Sequence, residues 1–428
     1  MRHFEKSEQY LERAERVIPL GSQTFSKSRT QYPHGVSPYF IVRGEGSRVW
    51  DVDGNEYIDF VSSLCSITLG YNHPAVNAEV TRQLASGVIF SLPHPIEAEV
   101  AGAICDMVPC AELVRFGKNG SDATSGAIRV ARAFTGRDHV AVCGYHGWQD
   151  WYIGATARNL GVPQATRELT HTFPYNDLAA LETLLQSQPE GFAAVILEPM
   201  NVTPPGPGYL EGVKALAHKH GALLVFDETI TGFRYANGGA QELFGVTPDL
   251  ATFGKGLANG FPVSAVAGRR DVMKLMEEVF FSFTFGGEAL SLAAARATLR
   301  TLREEPVVQA LAARGTQLME GLSAIIREGQ LEDVFGCSGH PSWSFLLMKD
   351  ARGANSFEIK TLWMQEMHQR GFLSVGTHNM NYAHSEADVA ALLAAYREVL
   401  PFIGEVLQQG KLRQTLRCEP LVPLFKLR

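Results

Sequence analysis

Cysteine is scarce: the six present (Cys65, Cys105, Cys110, Cys143, Cys337 and Cys418) include no C-x-x-C pair. That excludes a disulfide framework and a cysteine-rich zinc site. No segment approaches the roughly 18 to 20 uninterrupted apolar residues of a membrane-spanning helix. The first residues, MRHFEKSEQYLERAERVIPL, mix charges of both signs around no apolar centre, unlike a secretory signal. Positive charge is not in excess: 38 Lys and Arg against 45 Asp and Glu leave a net charge of -7, which argues against a nucleic-acid partner. There is no internal repeat or low-complexity tract, no H-E-x-x-H metal pair and no G-x-S-x-G elbow. These absences predict a reduced, cytoplasmic protein with no metal centre, no membrane association and no nucleic acid.

What is present reads as an α/β protein. At 428 residues the chain exceeds the size one hydrophobic core usually serves, so a large and a small domain are expected. Short apolar runs, HVAVCGYHG (139 to 147), AAVILEP (193 to 199), GALLVFDE (221 to 228) and PVSAVAG (262 to 268), alternate with helix-like stretches such as LEGVKALAHKH. That rhythm predicts strands buried on both faces of a mostly parallel sheet covered by helices. VWDVDGNEYIDF (49 to 60) alternates around Asp53-Gly54, the signal of a two-residue hairpin turn. Beyond about residue 300 come long amphipathic helices and then SWSFLLM (342 to 348), a strand-like run. The predicted division gives 1–54 to a small α+β domain, 55–302 to the large domain, and 303–428 to the small domain with a tail.

Open parallel sheets bind ligands beyond the carboxyl ends of their strands. The apolar runs there end in Tyr145-His146, Glu198-Pro199 and Asp227-Glu228. Any one such acid reads equally well as a helix cap. GKNGSDATSGAIRVARAFTGR places Asn119, Gly120 and Ser121 at the start of a helical pattern, a form suited to an anion and also to a plain N-cap turn. GKGLANG sets Lys255 between two glycines. It is no P-loop, because Gly256 follows Lys255 and Asp249 stands five residues before Gly254, and its glycine spacing misses the dinucleotide fingerprint. A lysine in a low-polarity loop is a nucleophile toward a carbonyl. An aldehyde cofactor would join it as a Schiff base, Asp227 would pair with a pyridine nitrogen, Tyr145 would stack on the ring, and Asn119, Gly120 and Ser121 would hold a phosphate. Together these demands belong to pyridoxal 5'-phosphate (PLP).

DVDGNEYIDF, LGYNHPAV, NGSDATSGAIRVARAFTGRDHV, GYHG, EPM, DETITGFR, TPDLATFGKGLANGFPVSAVAGRRDVM and TFGGEALSLAAA stand in order along the chain. In this series the sequence resembles the class III, fold-type I PLP-dependent aminotransferases, and most of all their glutamate-1-semialdehyde aminomutase branch. The resemblance implies a seven-stranded-type sheet. It makes Lys255 the Schiff-base and proton-transfer lysine, gives Asp227 the ring nitrogen and Tyr145 the ring face, and puts Glu198 beside cofactor and substrate. Asn119, Gly120 and Ser121 would contact the phosphate, with Thr284 reaching across from the second chain of a homodimer. It also implies ping-pong transfer through pyridoxamine phosphate from an amino acid donor, L-glutamate, to a carbonyl acceptor.

Where the sequence departs from this branch, the substrate side is affected. The branch's serine and arginine correspond to Thr24 and Lys27, its tryptophan to Leu64, and Glu288 replaces a usual asparagine. Lysine lacks the bidentate fork that recognises a carboxylate. Thr24, Lys27, His378 and Asn379 are the predicted substrate residues, and a keto-sugar or aldehyde is the predicted acceptor. Intramolecular aminomutase action and a non-catalytic PLP-fold binding protein are the alternatives.

Overall fold

The computed structural model describes residues 2–188 and 191–423. The chain forms two compact units. Among the described residues, the larger holds Cys65–Thr68 and the residues from Pro74 to Val308; the smaller is made of those up to Leu64, Leu69–His73 and those from Gln309 to Pro423.

The large unit is built on seven strands: β1 (Leu113–Gly117), β2 (His139–Cys143), β3 (Thr170–Thr172), β4 (Phe192–Leu197), β5 (Leu223–Asp227), β6 (Leu250–Phe253) and β7 (Ser264–Gly268). They lie in the order β1-β7-β6-β5-β4-β2-β3. All neighbours are parallel except β7, which runs antiparallel to both β1 and β6. Strands β4 and β5 are buried along their whole length, as their unbroken apolar runs require. Successive residues serve opposite faces. Ala194 and Ile196 pack with Val140, Val142 and Val225 against Ala123, Ala127, Ile128, Val130 and Ala131 of helix α1 (Gly120–Thr135). Val195 and Leu197 pack with Ala141, Leu224 and Phe226 against Leu210, Val213 and Ala217 of helix α2 (Tyr209–Lys219). Loops at the carboxyl ends of β2, β4 and β5 carry the polar residues picked out by sequence.

The small unit has two sheets. In one, Ile41–Glu45, Arg48–Asp51 and Glu56–Asp59 form an antiparallel meander whose last strand pairs in parallel with Phe372–Leu373. That pairing carries the small unit past residue 54, the expected boundary. The other sheet joins Phe335–His340, Trp343–Met348 and Thr377–Asn379. The hairpin at Gly54 is present, with φ 88° at the glycine. Its turn is longer than the expected two residues, because the Asp51 carboxylate caps it by accepting from the Asn55 amide at 2.8 Å and from Tyr57 Oη at 2.8 Å. All six cysteines are free thiols. No helix among the described residues is long and apolar enough to cross a membrane.

Candidate active site

Asp227, the last residue of β5, is buried, yet its carboxylate has a partner on each oxygen. Oδ1 accepts from the Thr229 amide (3.1 Å), Thr229 Oγ1 (2.6 Å) and Thr252 Oγ1 (3.1 Å). Oδ2 lies 2.8 Å from His146 Nδ1. The other ring nitrogen of His146 is 3.1 Å from the Cys143 carbonyl oxygen. Both ring nitrogens thus face oxygen atoms. Burial pushes the Asp227 carboxyl up, but His146 and Thr229 outweigh it and hold the group below its usual range. The result is a buried anion with a hydrogen-bonded imidazole behind it and lone-pair capacity to spare.

Asn119 is the N-cap of α1: its Oδ1 accepts from the Asp122 amide (3.2 Å), while Asp122 Oδ2 accepts from the amides of Lys118 (2.9 Å) and Asn119 (3.0 Å). This capping box fixes the turn and leaves Gly120 and Ser121 at the positive end of a 16-residue helix. Ser121 Oγ accepts from the Trp148 amide (3.2 Å), tying the turn to the Tyr145–Trp148 loop. Gly147 has φ 106°, and a Cβ there would sit 2.3 Å from Ser121 Oγ, so this approach requires glycine. A Cβ on Gly120 would come within 3.0 Å of Thr229 Cγ2, and one on Gly254 within 3.8 Å of the Gly120 Cα. The helix turn, the Asp227 segment and the lysine loop therefore meet.

Lys255 follows Gly254 at φ 43°, a left-handed conformation that costs a non-glycine residue on the order of 1–3 kcal/mol. It is half-buried, and among the described residues the lysines in ion pairs are Lys118 and Lys219, not Lys255. Its amine is left available. Glu198 is buried, and its carboxyl is pushed up by burial and by the neighbouring Asp227 charge. It accepts from the Tyr145 amide (3.1 Å) and from Asn201 Nδ2 (3.0 Å), so it braces the loop that presents Tyr145. Tyr145 is 58% exposed and meets Tyr152 in a T-shaped contact at 5.6 Å. Thr284 stands in an exposed turn ahead of helix α3 (Ala289–Glu304).

The four substrate candidates lie in the small unit and are not alike. Lys27 lines a cavity of about 470 Å³ with Gln23, Tyr32, Tyr39, Ser63 and Leu64, its Nζ donating to Ser63 Oγ at 3.3 Å. Thr24 caps a short 3-10 turn by accepting from the Ser26 amide (3.2 Å). His378 is fully buried between Ser344 Oγ (3.0 Å) and Tyr396 Oη (2.8 Å), and burial pushes its ring down to about 3. Asn379 donates to the Val61 carbonyl at 2.6 Å. The surroundings of His378 are those of a scaffold residue, held between Ser344 of the neighbouring strand and Tyr396 of a helix, whereas Asn379 points to the other face and keeps a buried Oδ1 without a partner. Sequence reading missed the role of His146. Its one signal was the place of GYHG at a strand end.

The residues fit PLP. Asp227 stays anionic for a protonated ring nitrogen, Tyr145 offers an exposed aromatic ring, Lys255 an amine outside any ion pair, and α1 a glycine turn at its positive end. Ser264 Oγ, on the strand beside Gly117, is buried without a partner, a cost of about 1–3 kcal/mol.

Comparison with known proteins agrees. The family profile described as Aminotransferase class-III matches residues 31–340. The chain is 34% identical over 412 residues to 3-aminobutyryl-CoA aminotransferase of Cloacimonas acidaminovorans, covering 94% of this chain and 98% of the relative. It is 36% identical over 427 residues to glutamate-1-semialdehyde 2,1-aminomutase of Roseiflexus castenholzii, covering 90% and 98%. Among solved structures, the PLP-bound FumI protein of Sphingopyxis sp. MTA144 superposes with a TM-score of 0.87 at 30% identity, covering 97% of this chain and 99% of that one. An omega-transaminase from Sphaerobacter thermophilus follows with a TM-score of 0.84 at 28% identity, covering 93% and 98%. With a lysine loop, an aspartate segment and a glycine turn meeting at the strand ends, and relatives matched over nearly their whole length, this chain belongs to the class III aminotransferases and is a PLP-dependent enzyme.

Proposed function

We propose that the protein transfers an amino group from an amino acid donor, L-glutamate, to a carbonyl acceptor in the aldehyde or keto-sugar class, by a ping-pong sequence. The observation that supports this reading is that the loop bearing Lys255 meets the Asp227 segment and the Asn119–Ser121 turn, a Cβ on Gly254 coming within 3.4 Å of Thr229 Cγ2 and 3.8 Å of the Gly120 Cα. PLP, when bound, supplies an electron sink for the carbanion left by loss of a proton from the amino-bearing carbon. The chain's own groups do the rest. Lys255 Nζ takes that proton, a contribution of order ~10²–10⁴-fold for a positioned acid/base. Asp227, kept ionised by His146 and Thr229, holds the ring nitrogen protonated. Tyr145 covers one ring face and Glu198 holds it there through the amide. Asn119, Gly120 and Ser121 grip the phosphate at the α1 terminus, with Thr284 of a second copy. On the substrate side Lys27 is kept from the resemblance alone, and its cavity among Tyr32, Tyr39, Asp59 and Leu64 is a feature of the small unit.

The test is the visible absorption spectrum of the purified protein before and after L-glutamate. A yellow band that bleaches supports the donor half-reaction, and an acceptor panel then reads the return of colour. A band indifferent to glutamate and to other amino acids counts against the transfer reading. Intramolecular aminomutase action is a second reading, favoured by the identity to relatives of that name. It requires product from glutamate-1-semialdehyde with no separate donor present.

A further inference from the structure

Lys118 links β1 to the Asn119–Ser121 turn, and its side chain turns inward, 21% exposed. Its Nζ lies 3.0 Å from Glu288 Oε2 and 3.2 Å from Ser291 Oγ. Glu288 is in turn the N-cap of α3: Oε1 accepts from the Leu290 amide (2.6 Å), and Oε2 from the Ser291 amide (3.1 Å) and Ser291 Oγ (2.5 Å). Burial pushes the Glu288 carboxyl up, but Ser291, Lys118 and the two amides outweigh it and hold the group below its usual range. An asparagine at this position could cap the helix but could not pair with Lys118. The ion pair is therefore an addition to the cap, and it joins two helix starts that are 170 residues apart in sequence.

Two roles are open to a lysine beside an anion-binding turn: attracting the anion by charge, or fixing the turn. Charge is already spent on Glu288, so the pair is locally neutral and acts through position. We propose that Lys118 and Glu288 are a positioning pair for the cofactor phosphate. They clamp the Asn119–Ser121 turn to the start of α3 and so to the Phe283–Gly287 segment that bears Thr284. This rests on the reading above that the Asn119–Ser121 turn holds that phosphate.

The experiment measures cofactor release from the holoenzyme, by loss of the visible band, with inorganic phosphate as competitor. Lys118→Met and Glu288→Gln are each expected to speed release of PLP roughly tenfold, the size of one lost charge-assisted hydrogen bond, and the double variant no more than either. Protein reloaded with pyridoxal, which lacks the phosphate, should release it at the wild-type rate in all of them. Equal acceleration for PLP and pyridoxal, or none for PLP, overturns the proposal. Glu288→Asn keeps the helix cap and carries the same expectation if the glutamine variant folds poorly. Ser121→Ala separates the two levels of inference. If it too leaves the preference for PLP over pyridoxal unchanged, the turn is not the phosphate site and the underlying reading falls. If it alone abolishes that preference, only the positioning pair falls.

Discussion

Asp227 and His146 sit 81 residues apart in sequence and 2.8 Å apart in space, and the contact helps to hold the Asp227 carboxyl low. Without His146, burial would weigh more and raise the Asp227 carboxyl, one pKa unit being about 1.36 kcal/mol. A carboxyl held low loses its anion only as pH falls through its folded value, so raising that value moves the loss to higher pH. His146→Phe should therefore shift the acid limb of the activity and colour-retention profiles toward neutrality and weaken cofactor retention. An acid limb left at its wild-type position would mean that Asp227 owes its charge to Thr229 and Thr252 alone. Lys255→Ala should abolish turnover with an unchanged melting temperature. Retained turnover would remove Lys255 from the chemistry. Lys255 and Asp227 were legible in the sequence as candidates, because the proposed chemistry demands those residue types at strand ends. The service of His146 was not, because a through-space partner leaves no mark on local spacing. Glu288 made sense only once Lys118 was beside it.

Elements were legible where burial dictates composition. Strands β4 and β5 announce themselves as apolar runs because both faces are covered. The Ser62–Cys65 turn gave no such sign: its four residues, none of them glycine, have φ of 43°, 46°, 61° and 67°. Tertiary structure imposes that conformation against local preference, at a cost of order 1–2 kcal/mol per residue. A second element hides a similar cost. Lys360, on the helix Ser356–Gln369, lines a cavity with Phe345, Leu347 and Phe357, and burial pushes its ammonium down to about 8 from 10.5. Between those values the unfolded chain holds a proton that the folded chain has released, so stability rises with pH across about 8 to 10.5. Lys360→Met should raise the melting temperature near pH 7 by at least roughly 2–4 °C, the shift expected per kcal/mol at this size, and the gain should vanish above the upper value. A gain that persists there would assign it to packing rather than to charge.

At the scale of the whole molecule the unexplained feature is an apolar face on the large unit. Leu92, Phe280 and Phe285 are 78%, 81% and 56% exposed, and Ile89, Phe90 and Phe283 lie exposed with them. The two segments are joined where the Ala289 amide donates to the Val88 carbonyl at 2.8 Å, and they flank Thr284. A lone chain rarely leaves so much apolar surface to water, whereas a second copy on a two-fold axis would cover each face with its equal. In such a dimer each Thr284 serves the partner's phosphate. Phe285→Asp should then shift the mass in solution from dimer toward monomer and lose cofactor in the same step. A sharper test combines two defective chains. If Lys255→Ala and Thr284→Ala chains are co-expressed and the mixed dimer is isolated, one site joins the intact Lys255 of one chain to the intact Thr284 of the other. The second site has neither. Exchange of Thr284 predicts one tightly held, yellow cofactor per mixed dimer and about half the wild-type activity, although both parent homodimers are impaired. If Thr284 instead serves its own chain, no site in the mixed dimer is whole. It would then retain cofactor no better than the Thr284→Ala parent, and the apolar face would need an occupant other than a second copy exchanging that turn.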